Sequence, residues 1–93
     1  MTFSPIYHPA VESYDLPRLS THVRARIRAA LEERAATRPA AYGKPLRGTL
    51  KGLWSIRVGD RRIIYAIAGD EVYVLRIGHR REAYRDVLRR IQG

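Results

Sequence analysis

Residues 43–84, GKPLRGTLKGLWSIRVGDRRIIYAIAGDEVYVLRIGHRREAY, decide the fold. Leu53 to Val58, Arg62 to Ala68 and Glu71 to Ile77 are short runs rich in β-branched and aromatic residues, broken by Gly59-Asp60 and Gly69-Asp70. Such runs separated by two-residue turn pairs predict three consecutive antiparallel strands, a meander. Along the first of them Trp54, Ile56 and Val58 alternate with Leu53, Ser55 and Arg57. Side chains alternate across a strand, so one face is apolar and the other presents a hydroxyl and a guanidinium. Arg62 opens the second strand and Arg76 comes near the end of the third, where apolar residues are otherwise expected. A sheet face with arginines on it is suited to an anion.

Working outward, Pro5-Ile6-Tyr7 within Ser4 to His8 predicts a first strand, with Pro5 favouring an edge. Ala10, Val11 and Tyr14 suggest a short helix that begins near Pro9 and is interrupted at Pro17. Ser20 or Thr21 then caps a second helix whose Val23, Ile27, Ala30 and Leu31 share one face. Arg24, Arg26, Arg28, Glu32 and Glu33 fall mostly on its other, solvated side. Thr37 to Gly52, rich in Pro, Gly and Ala, reads as a loop. Its glycines do not make a phosphate loop, because the GxxxxGK[ST] pattern is absent and no strand precedes them. After the meander, Ala83, Val87, Leu88 and Ile91 at helical spacing predict a last helix over Arg80 to Ile91. The order strand, two helices, three strands, helix predicts an α+β fold, a single domain over residues 1–93 with helices packed on an antiparallel sheet.

Ninety-three residues are enough for one core without staples. There is no cysteine, which excludes disulfides and thiolate metal sites. No apolar run approaches the ~20 residues that span a bilayer. The N-terminal MTFSPIYHPAV lacks the pattern of a signal peptide, so the expectation is a cytoplasmic protein with no membrane partner. The net charge is +9 and uneven: residues 1–43 carry six basic against four acidic residues, residues 44–93 twelve against five. Sixteen of the eighteen basic residues are arginine, whose planar fork grips phosphate and stacks on bases. The excess on the meander and the last helix points to nucleic acid or another polyanion.

His8, His22 and His79 are scattered without metal-ligand spacing, so no metal and no cofactor are expected. The suggestive group is Ser55, Arg57, Arg62, Arg76, His79, Arg80, Arg81 and Tyr84, all near strand faces or ends that can converge on one cleft, with Lys51 at its approach. Within that group His79 is the side chain whose ordinary pKa of about 6.5 suits proton transfer at neutral pH.

KPLRGTLKGLWSIRVGDRRIIYAI, followed by EVYVLRIGHRREAYR, resembles the RelE/ParE superfamily of type II toxins. The resemblance rests on the L-x-G-x-x-x-G-x-W-x-x-R-x-G-x-x-R-x-x-Y run and the closing G-H-R-R-x-x-Y, and covers about half the chain. It implies a small microbial RNase-like sheet with two N-terminal helices on one face, a C-terminal helix and a cleft. It also implies, for the RelE branch, cleavage of messenger RNA in the ribosome and inhibition by a small antitoxin encoded beside the toxin. Binding to operator DNA is then expected only through the antitoxin complex.

Carried over by position, the resemblance puts Arg57 and Arg62 on basic positions of the cleft, Arg80 on the arginine after the last strand and Tyr84 on the C-terminal tyrosine. Together with His79 these are the expected catalytic residues; Lys51, Ser55, Arg76 and Arg81 are the expected substrate-binding ones. Arginines hold and neutralise phosphate oxygens but do not serve as bases. The chain departs from the pattern where one branch has lysines, at Ser55 and Arg57, and where another has a glutamate, at Thr49. The expected function is therefore a ribosome-dependent, metal-independent mRNA interferase whose general base is unassigned. The alternatives are a ParE-like inhibitor of DNA gyrase and an RNA-binding domain without toxicity.

Overall fold

The computed structural model describes residues 3–92. Its centre is a five-stranded sheet in the order β1-β5-β4-β3-β2. The expected meander is β3 (Trp54–Val58), β4 (Arg61–Ala68) and β5 (Glu71–His79), each antiparallel to the next. Gly59 and Gly69 take φ of +60° and +61° at the first central position of the two turns. That is a left-handed conformation open to glycine at little cost, and it matches the twist of the strands it joins.

β1 (Ser4–Tyr7) pairs with β5 in parallel and forms one edge, so the whole sheet is mixed although its meander is antiparallel. β2 (Lys44–Pro45) forms the opposite edge, antiparallel to β3. It lies inside the stretch read from sequence as loop, together with a short helix, α2 (Pro39–Tyr42). Two-residue strands and one-turn helices are too short to leave a periodic signal.

The two faces of the sheet are covered unequally. On one, α1 (Thr21–Ala30) and its continuation Leu31–Ala35 pack Ile27, Ala30 and Leu31 against Ile56, Ile63, Val72, Val74 and Ile77, forming the main core. Ser20 caps α1, its Oγ accepting the Val23 N–H at 3.2 Å. On the other face α3 (Arg80–Gln92) buries Ala83 and Val87 against Ile64, with Leu53, Leu75 and Tyr84 around them. α3 lies over β4 and β5 and leaves the strip over β3 open. That uncovered strip becomes the floor of a cleft.

A bulge sets which side chains reach each face. Ile64 pairs with Arg76 while Tyr65 pairs with Val74, so Leu75 is an extra residue on β5. Without it strict alternation would send Arg76 into the main core and Ile77 out of it. With it, Arg76 turns beneath α3 and Ile77 is buried among the core residues.

The charge so buried is met by Asp15, whose side chain has no solvent exposure. Asp15 accepts from Arg76 Nη1, from Arg90 at 2.7 and 3.0 Å and from the Ile77 N–H at 2.9 Å. It stands at the end of the helical turn Val11–Asp15, the first of the expected helices. β1 pairs only with residues 71–74 of β5, and beyond them this carboxylate takes the place of a neighbouring strand. Asp86 adds a second partner for Arg76 at 3.1 Å. Among the described residues no helix is long and apolar enough to cross a membrane.

Candidate functional site

The open strip over β3 forms a cleft of about 410 Å³ lined by Arg34, Tyr42, Gly43, Lys44, Ser55, Arg57, Arg62 and Tyr84. Its deepest polar group is Ser55, on the β3 face opposite Ile56 and only 6% exposed. The Ser55 hydroxyl lies 3.2 Å from the Tyr84 hydroxyl, which hangs over the sheet from the second turn of α3. Tyr84 Oη also accepts the Nε–H of Arg62 at 3.2 Å. Arg57 and Arg62 are cross-strand partners on the same face, and Arg57 gives its own Nε–H to the Gly59 carbonyl at 3.3 Å. Both guanidiniums are thus oriented through Nε, Arg62 also through its Nη1 on the Arg61 carbonyl at 3.5 Å, and both line the cleft.

The far wall comes from α2 and β2. Tyr42 is half-exposed, and Lys44 stands across from Ser55 in the β2–β3 register. This wall is held closely: the buried Tyr65 hydroxyl donates to the Pro39 carbonyl at 2.6 Å, and burial pushes its pKa up to about 12. A Cβ at Gly43 would meet both the Tyr65 hydroxyl and the Pro39 carbonyl oxygen closer than atoms pack, so only glycine passes between them. Arg34, from the helical continuation Leu31–Ala35, closes the cleft 3.5 Å from the Arg57 carbonyl.

Four cations, three arginines and a lysine, therefore surround two hydroxyls, and no carboxylate is among the lining residues. Such a set can hold and neutralise a phosphodiester, and Tyr42 offers an aromatic face beside it for a base. Among the described residues no three His, Asp or Glu side chains gather where they could hold a metal ion.

The structure brings together Ser55, Arg57, Arg62 and Tyr84 of the residues expected from sequence, and leaves the others outside the cleft. Arg76 shares their sheet face but is buried under α3 with Asp15. His79 faces a separate small cavity with Arg18, Arg61 and Glu82, and its Nδ1 accepts the Arg81 N–H at 3.3 Å, capping α3. Arg80 is exposed one helical turn before Tyr84, and its N–H donates to the Asp60 carbonyl at 2.9 Å. Arg81 and Lys51 are exposed and do not line the cleft. Arg34, Tyr42 and Lys44 were not expected. Arg34 could have been found as a charge at helical spacing from Ile27 and Leu31, beyond the C-terminal end of the apolar stripe as Arg24 is at its N-terminal end.

Comparison with known proteins agrees with this architecture. Residues 7–84 match the family model of the ParE toxin of the type II toxin–antitoxin system parDE. Toxin RelE of Mycobacterium tuberculosis is 36% identical over 84 residues, covering 85% of this chain and 87% of that protein. Toxin RelG of the same organism is 41% identical over 66 residues, covering 64% and 76%. Among solved structures, a chain of the M. tuberculosis toxin–antitoxin complex RelBE2 superimposes with a TM-score of 0.79 at 28% identity, over 86% of this chain and 100% of that one. Free E. coli toxin RelE, carrying two arginine-to-alanine changes, shares the fold with a TM-score of 0.77 at 21% identity, over 98% and 99%. The chain belongs to the RelE/ParE superfamily of type II toxins, on its RelE-like branch.

Proposed function

We propose that this toxin is a ribosome-dependent endoribonuclease acting on messenger RNA without a metal ion, and that a small antitoxin holds it inactive. The observation that carries the reading is the hydrogen-bonded set Arg62–Tyr84–Ser55 on the floor of a cationic cleft without carboxylates. RNA cleavage by its own 2′-hydroxyl builds negative charge on the phosphorus centre, which preorganised arginines stabilise. Arg57, Arg62 and Arg34 supply that charge. Tyr84, pinned by Arg62, positions the reacting ribose and phosphate, and Tyr42 stacks a neighbouring base.

A strong general base is not needed if the substrate arrives in line. Proximity and orientation can contribute as much as proton abstraction, and the ribosome, by bending the message, provides them. The antitoxin is expected to be acidic and to cover the arginine face, with fast and salt-sensitive association. The RelBE2 complex supports such a partner by its likeness to this chain.

The test is primer extension on one message, with and without programmed ribosomes, beside a gyrase supercoiling assay. Cleavage that requires the ribosome bears the reading out. Equal cleavage without ribosomes defeats the positioning argument, and gyrase inhibition without cleavage moves the chain to a ParE-like activity.

A further inference from the structure

We propose that Lys44 is the general acid of the cleft, the group that hands a proton to the departing 5′-oxygen. The inference rests on the nuclease reading and deepens it. In the cleavage step the O2′–P bond forms and the P–O5′ bond breaks, leaving a 2′,3′-cyclic phosphate and a 5′-hydroxyl. One proton leaves O2′ for solvent water, and another must reach O5′, because an alkoxide leaves poorly.

Arg34, Arg57 and Arg62 cannot provide it, since a guanidinium does not release a proton in a protein. Four lining groups besides these carry a proton that chemistry can use with less difficulty: Ser55, Tyr42 and Tyr84 through a hydroxyl, and Lys44 through an ammonium. Ser55 and Tyr84 are engaged with each other, and Tyr84 is further tied to Arg62. Tyr42 is placed for stacking at the rim. An ammonium approaches the phosphate as a cation and leaves a proton behind as it becomes an amine, which solvent then reprotonates.

The sheet sets where that ammonium stands. Lys44 pairs with Ser55 across β2 and β3, so both side chains rise from the same face, about 5 Å apart at Cβ for a cross-strand pair. Ser55 in turn contacts Tyr84, which places Lys44 on the opposite side of the Ser55–Tyr84 pair from α3. The charged groups it faces across the cleft are Arg34, Arg57 and Arg62. Its backbone is anchored by the Tyr65–Pro39 hydrogen bond and by the passage that only glycine at position 43 allows. It is one of two lysines in the chain, and Lys51, the other, lies outside the cleft.

The test uses the full chain on programmed ribosomes with two synthetic messages that differ in one atom, oxygen or sulfur at the bridging 5′ position of the cut. A thiolate leaves without being protonated. Lys44→Met should cut the oxygen message more slowly by on the order of a hundred-fold, yet cut the sulfur message within a few-fold of the parent. Lys44→Arg, which keeps the charge but not the transferable proton, should behave like Lys44→Met. Parental rates for Lys44→Arg, or equal losses on both messages for Lys44→Met, overturn the assignment. A parent that cuts neither message defeats the nuclease reading itself, and the assignment with it.

Discussion

The Nε–H of Arg62, on the middle strand of the meander, donates to the phenolic oxygen of Tyr84 on the last helix at 3.2 Å. The bond joins sheet and helix inside the cleft, where the proposed reading puts the phosphate. Arg62→Ala removes both a cation and the support of Tyr84. It is expected to lower cleavage by about 2–4 kcal/mol of transition-state stabilisation. Stability should change little, because Arg62 is only partly buried and lies outside both cores. Single-turnover cleavage on ribosomes beside thermal unfolding checks both halves, and a normal rate or a collapsed melting temperature contradicts the assignment.

His79→Ala separates the histidine from the chemistry. Its Nδ1 caps the first turn of α3 and its ring faces away from the cleft. Losing a cap costs about 1 kcal/mol. Urea denaturation should register that loss while cleavage per folded molecule stays near the parent's. A hundred-fold fall in cleavage with unchanged stability would return His79 to the reaction.

Asp15 presents the opposite case, a charge far from the cleft on which the fold depends. Asp15→Ala leaves Arg76 and Arg90 facing each other without their shared carboxylate and frees the Ile77 N–H. Removing one member of a buried ionic cluster typically costs about 3–5 kcal/mol. Chemical denaturation is expected to show a loss of that size. A change under 1 kcal/mol would mean that water enters and replaces the carboxylate.

Tyr65 supplies a pH dependence. Its folded pKa, about 12, lies above the ordinary value of 10.0 because burial disfavours the phenolate. The stability this represents is fully present below about pH 10 and is lost as pH rises through about 12. Burial also pushes Tyr7 up and the hydrogen bond to Glu71 pushes Tyr73 up, so ultraviolet titration of the six tyrosines should show several late steps, that of Tyr65 together with unfolding. Tyr65→Phe should abolish the step coupled to unfolding and leave the Pro39 carbonyl with the Gly43 N–H as its remaining donor.

Much of this molecule is legible in the sequence because its information is local. Alternation around Trp54, Ile56 and Val58 and the two Gly-Asp pairs give the meander, its turns and the face that carries Ser55, Arg57 and Arg62. Tyr84 is placed by helical spacing from Val87, Leu88 and Ile91 and by the shortness of the link from β5. What escapes is non-local. The bulge at Leu75 shows in β5 only as an arginine where an apolar residue is expected, which does not by itself tell that Arg76 goes beneath α3. Asp15 looks like an ordinary acidic residue of a surface turn until Arg90 meets it from 75 positions away. Lys44 and Tyr42 belong to elements of two and four residues, in which periodicity cannot be defined.

The meeting of Asp15 with Arg90 also bears on when the toxin comes into being. The carboxylate that β5 needs beyond its pairing with β1 is made 75 positions before one of the two guanidiniums that satisfy it, and well before the helix that walls the cleft. Contacts between segments so far apart in the chain form late in folding, because the intervening loop must be closed first. A growing chain still attached to its ribosome therefore lacks the completed ion cluster and the seated α3, and with them the support of Tyr84. On the proposed reading, cleavage becomes available only once α3 has been made and seated, so the order of these segments keeps the partly made chain from acting on the ribosome that is making it.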